Sequence, residues 1–371
     1  MGNWEWEVPM EGPRPLNESE WPNLVKFLTH SLRPEHQWSI ETEYPTALSL
    51  QNRHNIRIMT DQTEIVSHAV VKPMVIKTPY LIYKVAGIGS VVTNEKYRNQ
   101  GFSQKVLSDC LTVAQEQKCD LAILWTHLHD FYRKVGFELA GTEVSHTFHE
   151  EFAPPRNHLR FSSDRNVSPE ALNRLYSQHT VGTVRTADEI KQYLKIPHTQ
   201  IYTAWNPDQT LAAFAIEGKG ADLQNYLHEW GGLVPDLLSL ISWIRKEKKQ
   251  AVSLITPVHS THLNRQLEAL STRFDGYLGM IKLVDEQSLF GKIKRAFRAE
   301  GISDLVLEKR GHGFIFGIGS DLLIVDREQD MVKLLFGPVD YSVLGFQNPK
   351  TLEKLGRLLP LPFWIWGWDS V

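Results

Sequence analysis

Val91-Val92-Thr93-Asn94-Glu95-Lys96-Tyr97-Arg98-Asn99-Gln100-Gly101-Phe102-Ser103-Gln104-Lys105-Val106-Leu107 runs from a strand end through a basic, glycine-containing loop into a helix start. Backbone amides between Asn99 and Ser103 can turn toward one point, and a helix N-terminus adds its partial positive charge. Gly101 permits close backbone approach, Ser103 is small, and Lys96 and Arg98 contribute full charges. Together they make an anion site suited to a pyrophosphate. A plain strand-to-helix connection, with a glycine for its turn, is the alternative reading.

Upstream, Asn17–Leu32 reads as a capped helix, followed by strand-like runs at Ile56–Met59, Ile65–Val71 and Tyr80–Val92. Downstream, Val106, Leu107, Cys110, Leu111 and Ala114 recur at helical spacing within a helix from about Gly101 to Gln117. Leu121–Trp125 is apolar enough for a strand covered on both faces. A short helix at Phe131–Val135 and a strand pair, Phe137–Leu139 and Val144–Phe148, complete a first unit before the break Ala153-Pro154-Pro155-Arg156. The same order then recurs. Strands at Ile201–Trp205, Leu211–Ile216 and Leu223–Trp230 precede a helix at Pro235–Arg245, a strand at Ala251–Ile255 and a helix near His262–Leu270. That recurrence predicts duplication of one fold. From Gly276 the pattern changes to a smaller α+β unit. The expected divisions are therefore 1–152, 157–275 and 276–371, in an α/β (α+β) chain with two tandem mixed-sheet domains.

The chain has 371 residues, enough for several cores, and its 40 Lys plus Arg against 43 Asp plus Glu argue against a general nucleic-acid binder. Two cysteines, Cys110 and Cys119, exclude a disulfide framework or a four-cysteine zinc site, and no metal is expected. The start Met1-Gly2-Asn3-Trp4-Glu5-Trp6-Glu7 is acidic, unlike a secretory signal, and no apolar run is long enough to span a membrane. A cytoplasmic setting without membrane insertion is the simplest expectation.

Arg98-x-x-Gly101-x-Ser103 resembles the acetyl-CoA signature of the GCN5-related N-acetyltransferases (GNAT), as does the wider Tyr97-Arg98-Asn99-Gln100-Gly101-Phe102. Asp130-Phe131-Tyr132-Arg133-Lys134-Val135-Gly136-Phe137 resembles that family's second motif. Ser103 at the last small position and Asn99 where glycine is frequent are departures. The resemblance implies that Val91, Val92 and Thr93 pair with the pantetheine arm of acetyl-CoA. Arg98, Asn99, Gln100, Gly101, Phe102, Ser103 and Gln104 would cradle the pyrophosphate, and His127 and Leu128 would border the cosubstrate. Tyr132 would be the general acid for the leaving thiolate, a task that suits a group with a reference pKa near 10.

Two such units and a smaller third resemble the Eis-like acetyltransferases, whose last domain is similar to a sterol carrier protein. There the C-terminal carboxylate acts as base in the first domain's site, which would give Val371 that role. A partly desolvated carboxylate is a better base near neutrality. In the tail, Trp364, Trp366 and Trp368 alternate, so a strand would place all three on one face. The implied function is acetyl transfer to a primary amine of a small molecule or peptide, by direct attack on the thioester. The other reading is a non-catalytic module binding acyl-CoA or lipid, and a homo-oligomer stays open.

In the second copy, Trp230-Gly231-Gly232-Leu233-Val234-Pro235 stands where the signature would be. It offers no arginine and one amide fewer, which predicts no acetyl-CoA there. Gly87-Ile88-Gly89 and Gly317-Ile318-Gly319 lack the further glycine of a dinucleotide fingerprint and read as strand bends. Cys110, on the apolar stripe of its helix, reads as core.

Overall fold

The computed structural model describes residues 10–371; the acidic start, Met1 to Glu7, lies outside them. The first unit contains β1 (Glu11–Pro15), α1 (Trp21–Leu32), β2 (Ile56–Asp61), β3 (Glu64–Lys77) and β4 (Ile82–Thr93). It continues with α2 (Phe102–Glu116), β5 (Leu121–Leu124), α3 (His129–Arg133) and β6 (Glu138–Phe148). The second contains β7 (Arg160–Ser162), α4 (Pro169–Tyr176), β8 (Gly182–Thr183), α5 (Ala187–Tyr193), β9 (Gln200–Trp205) and β10 (Leu211–Lys219). Then come β11 (Asp222–Gly232), α6 (Val234–Lys248), β12 (Val252–Pro257), α7 (Thr261–Leu267) and β13 (Thr272–Leu283). The third has α8 (Glu286–Ala299), β14 (Leu305–Arg310), β15 (Gly313–Ile318), β16 (Asp321–Val325), α9 (Glu328–Phe336) and α10 (Pro349–Leu355).

The duplicated order β2-β3-β4-α2-β5-α3-β6 and β9-β10-β11-α6-β12-α7-β13 is present, but the two copies share one sheet. Its order is β1-β2-β3-β4-β5-β13-β6-β12-β11-β10-β9-β7, with β8 beside β3. The last strand of each copy crosses to the other. β13 lies between β5 and β6, from Leu283↔Leu121 to Thr272↔Thr147, and β6 pairs with β12 from Val252↔Phe148 to Pro257↔Glu143. This exchange has two consequences for the expected elements. Phe137–Leu139 and Val144–Phe148 are not a strand pair; Glu138–Phe148 is one unbroken strand, because β13 pairs with it from Glu138 to Thr147 and β12 takes its other edge from Glu143 to Phe148. Positions 275 and 276, expected to separate two domains, both lie inside β13, which serves both halves. The third unit carries its own antiparallel sheet, β14-β15-β16.

Helices cover both faces of the first unit. Phe102, Val106, Leu107, Cys110, Val113 and Ala114 form the buried stripe of α2 and pack on Ala86, Ile88 and Ala122. On the other face α1 buries Leu24 and Leu28 against Ile56, Ile58 and Val70. Chain entry to α1 is fixed by the Glu20 carboxylate, which accepts from the Asn17 amide at 2.9 Å. The helix proper starts at Trp21, after a short 3-10 turn at Glu18–Glu20. Cys110 is fully buried and burial pushes its thiol pKa up, so it packs as a small apolar group.

The tail after α10 is ordered but is not a strand. It runs extended without a ladder partner and closes in a 3-10 turn at Gly367–Asp369. Trp364, Trp366 and Trp368 are all buried, in different surroundings. Trp366 donates to the carbonyl of Val181 at 3.2 Å, while Trp368 packs on Tyr193 with ring centres 5.5 Å apart.

Candidate active site

β4 and β5 are parallel neighbours only through Val85↔Leu121, Ala86↔Ala122 and Gly87↔Ile123. β5 ends at Leu124, whereas β4 continues to Thr93, so the strands part and leave a wedge. A bulge sharpens the parting. Ser90 takes φ 50°, and the β3 register slips between Val70↔Gly89 and His68↔Val92. The buried His68 holds this bulge, with Nδ1 2.8 Å from the Ser90 carbonyl. Burial lowers its pKa to about 4, so the ring is neutral and Nδ1–H donates. Beyond the bulge Val91, Val92 and Thr93 are half-buried, and the Thr93 hydroxyl lies 2.9 Å from Ser67 Oγ.

The following loop turns sharply into α2. Asn94 caps a 3-10 turn at Glu95–Tyr97, and the Tyr97 hydroxyl donates to Asp61 at 2.7 Å. Asn99 (φ 64°) and Gly101 (φ 80°) are both left-handed, which curls the backbone around Gln100. No side chain caps α2 and its first turn holds no acidic residue, so the positive helix end is left uncancelled. A Cβ on Gly101 would meet nothing within 4 Å, so the cradle is open on that side. Arg98, Asn99, Gln100 and Gln104 are exposed, Arg98 pairing with Glu95 at 3.0 Å, and Ser103 is half-buried. Phe102 differs from its neighbours: its ring is in the core with Val106, so only its backbone amide faces the turn.

Tyr132 lies on α3, the single turn after β5. Its ring stands edge-on to Phe131 at 4.9 Å and to Phe137 at 6.1 Å. Burial pushes its phenol up to about 12, so it keeps its proton at neutral pH. The Phe137 amide donates to the Tyr132 carbonyl at 3.1 Å, and Gln329 of α9 donates to the Arg133 carbonyl at 3.3 Å, so the third unit braces this turn. His127 and Leu128 are exposed on the loop before it.

Val371 reaches the same strand from the other face. A Cβ on Gly89 would lie 2.5 Å from the carboxyl carbon of Val371, and one on Gly87 would lie 3.1 Å from its Cγ2. These glycines were expected to bend the strand. Neither takes a left-handed φ, and the irregularity falls at Ser90; they are bare because the tail rests on them. Ala86 and Ile88 point into the cluster that holds Tyr132, while Val371 packs against the α1 cluster. The cluster that holds Tyr132 thus lies on one face of β4 and the Val371 carboxyl group on the other.

The second copy is built differently at the equivalent place. β11 and β12 pair only at Tyr226↔Ser253 and Leu227↔Leu254, then part as β4 and β5 do. Here the Trp230 indole spans the gap, and Trp366 of the tail packs on Trp230 with ring centres 5.0 Å apart. Helix α6 has proline in its first turn and the acidic Asp236, both unfavourable to an anion. Among the described residues no cluster of His, Cys, Asp or Glu could hold a metal ion, and no helix is long and apolar enough to cross a membrane.

A family model described as an acetyltransferase (GNAT) domain matches residues 13–140. No curated protein matches the sequence. A solved GCN5-related N-acetyltransferase from Anabaena variabilis superposes with TM-score 0.67 at 14% identity, covering 98% of this chain and 100% of that one. Eis1 from Mycobacterium abscessus superposes with TM-score 0.62 at 12% identity, again covering 98% and 100%. Residues 13–140 thus match an acetyltransferase (GNAT) domain. The whole chain shares its fold with both of these proteins.

Proposed function

We propose that the protein transfers the acetyl group of acetyl-CoA to a primary amine of a small molecule or peptide. Arg98 and the backbone from Asn99 to Gln104 hold the pyrophosphate, Phe102 by its amide alone. Val91, Val92 and Thr93 pair with the pantetheine arm, and His127 and Leu128 border it. Acetyl-CoA supplies an activated acyl group and a thiolate that can leave. The neutral acceptor nitrogen bonds to the acyl carbon as the carbon–sulfur bond breaks. The carboxylate of Val371 takes the amine proton, and the Tyr132 phenol gives its own to the departing sulfur. Bound geometry supplies the proximity, so no acyl-enzyme is needed. In this reading the third unit delivers its last residue to the first unit's wedge.

The observation that carries the proposal is that Val371 rests on Gly87 and Gly89 of β4, where β4 leaves β5, while Tyr132 belongs to the apolar cluster on the other face of that strand. The open, uncapped turn at Gly101 supports the cosubstrate's place beside it. The test is release of free CoA thiol from acetyl-CoA across a panel of amines. Amine-dependent release is expected. Acetyl-CoA binding without release for any amine would replace the enzyme by a binding module.

A further inference from the structure

The tail does not merely end near the wedge; buried charge holds it there. Lys219, at the end of β10, is 1% exposed and aims its ammonium at the turn that closes the tail. It donates to the carbonyls of Gly367 at 3.1 Å, Trp368 at 3.4 Å and Ser370, and to the Ser370 hydroxyl at 3.1 Å. One residue earlier, Asp369 accepts from Arg185 at 2.6 Å, and Lys72 of β3 reaches the Asp369 carbonyl at 3.2 Å. Burial, with Lys72 nearby, pulls the Lys219 pKa down to about 7. Its hydrogen bonds to the tail, with the charges of Asp222, Asp369 and Glu229, offset part of that cost.

We propose that Lys219 and Gly89 are positioning residues for acyl transfer: Lys219 fixes the last turn of the tail by its backbone, and Gly89 leaves β4 bare to seat the Val371 carboxyl group. The proposal rests on reading Val371 as the base. Both act through Val371 and from different units, Gly89 as the bare seat against its carboxyl group and Lys219 through the turn before it. Three further features fit. Gly89 has no backbone conformation that demands glycine, so the close approach of Val371 is what excludes a side chain. The Lys219 ammonium has three protons for four tail oxygens; an apolar replacement takes the donor from the Trp368 and Ser370 carbonyls, while the Gly367 carbonyl keeps the Ser370 hydroxyl at 2.7 Å. It also lies 4.8 Å from the Tyr44 ring centre, which fixes it against the first unit.

Two readouts test it. Carboxypeptidase A is expected to release valine faster from Gly89→Ala and Lys219→Met than from the parent protein, and not faster from Lys219→Arg. Equal release from all four would overturn the proposal, whatever the activity. In turnover, Gly89→Ala is expected to lower kcat by about 10²-fold, with acetyl-CoA affinity unchanged. Its rate should climb with pH as the free amine loses its own proton. Combined with removal of Val371, Gly89→Ala should cost nothing beyond that removal. Losses that multiply would overturn the proposal. Full turnover without Val371 would instead dismiss Val371 as the base, leaving the protease comparison to judge the seat. If Lys219→Met does not fold, Gly89→Ala decides alone.

Discussion

Trp230 Nε1 donates a 3.0 Å hydrogen bond to the Ile255 carbonyl, tying β11 to β12 just beyond the end of their ladder. The ladder of β4 and β5 ends at Gly87↔Ile123, and the indole that follows β5, Trp125, donates instead to the Leu278 carbonyl of β13 at 2.8 Å. One acetyl-CoA per chain is therefore expected by titration calorimetry, and a second equal site would contradict the contrast between the copies.

Tyr132→Phe should lower kcat by about 10²–10⁴-fold and leave acetyl-CoA affinity unchanged. Because burial holds the phenol pKa at about 12, the parent enzyme's rate should show no alkaline fall from this group through pH 10. A descending limb centred near 10 that vanishes in the variant would show an unperturbed phenol.

Arg98→Ala combined with Gly101→Glu should abolish acetyl-CoA binding. The new carboxylate would stand at an uncapped helix N-terminus, in space where a Cβ meets nothing. Native affinity in that double variant, measured by calorimetry, would move the pyrophosphate elsewhere.

Two buried histidines, His68 and His228, and two half-buried ones, His179 and His259, should weaken the fold in acid. Burial takes His68, His179 and His259 to about 4 and His228 to about 3, all from 6.5. The unfolded chain binds more protons across that window, so stability is full above 6.5 and is lost as pH falls toward 4. Each contributes a slope of up to about 1.4 kcal/mol per pH unit. Urea titrations between pH 7 and 4 should show a multi-proton dependence; a flat profile would mean these rings are solvated.

Arg185→Met should be severe. It strands Glu229, fully buried, without its 2.8 Å ion-pair partner and leaves buried Asp369 with Lys72 at 3.5 Å in place of its 2.6 Å pair. The expected loss is about 3–5 kcal/mol, read from chemical denaturation. A loss below about 1 kcal/mol, the range of exposed pairs, would mean that water reaches the cluster.

The residues that could be read in sequence were those with local spacing. The stripe on α2, the turn at Gly101 and the single helical turn carrying Tyr132 all follow from neighbours a few positions apart. The exchange of β6 and β13 was not legible, because each reads as an ordinary strand and its partner is chosen by a duplicated neighbour. Nor was the clamp: Lys72, Arg185, Lys219 and Asp369 are scattered over nearly three hundred positions and meet only after folding. Gly87 and Gly89 misled for the same reason. Their cause is a residue from the far end of the chain, whereas glycine in a strand usually signals a local event. The alternating tryptophans kept their order without a ladder, since buried contacts can fix an extended segment that no strand partners.

The reciprocal crossing of β6 and β13 ties the two copies into one sheet. A gene fragment encoding either half alone would lose the strand its partner lends and leave a sheet interior open to any passing chain. Directed evolution of this scaffold must therefore work on both copies at once, because neither can be excised, shuffled or transplanted as a cassette.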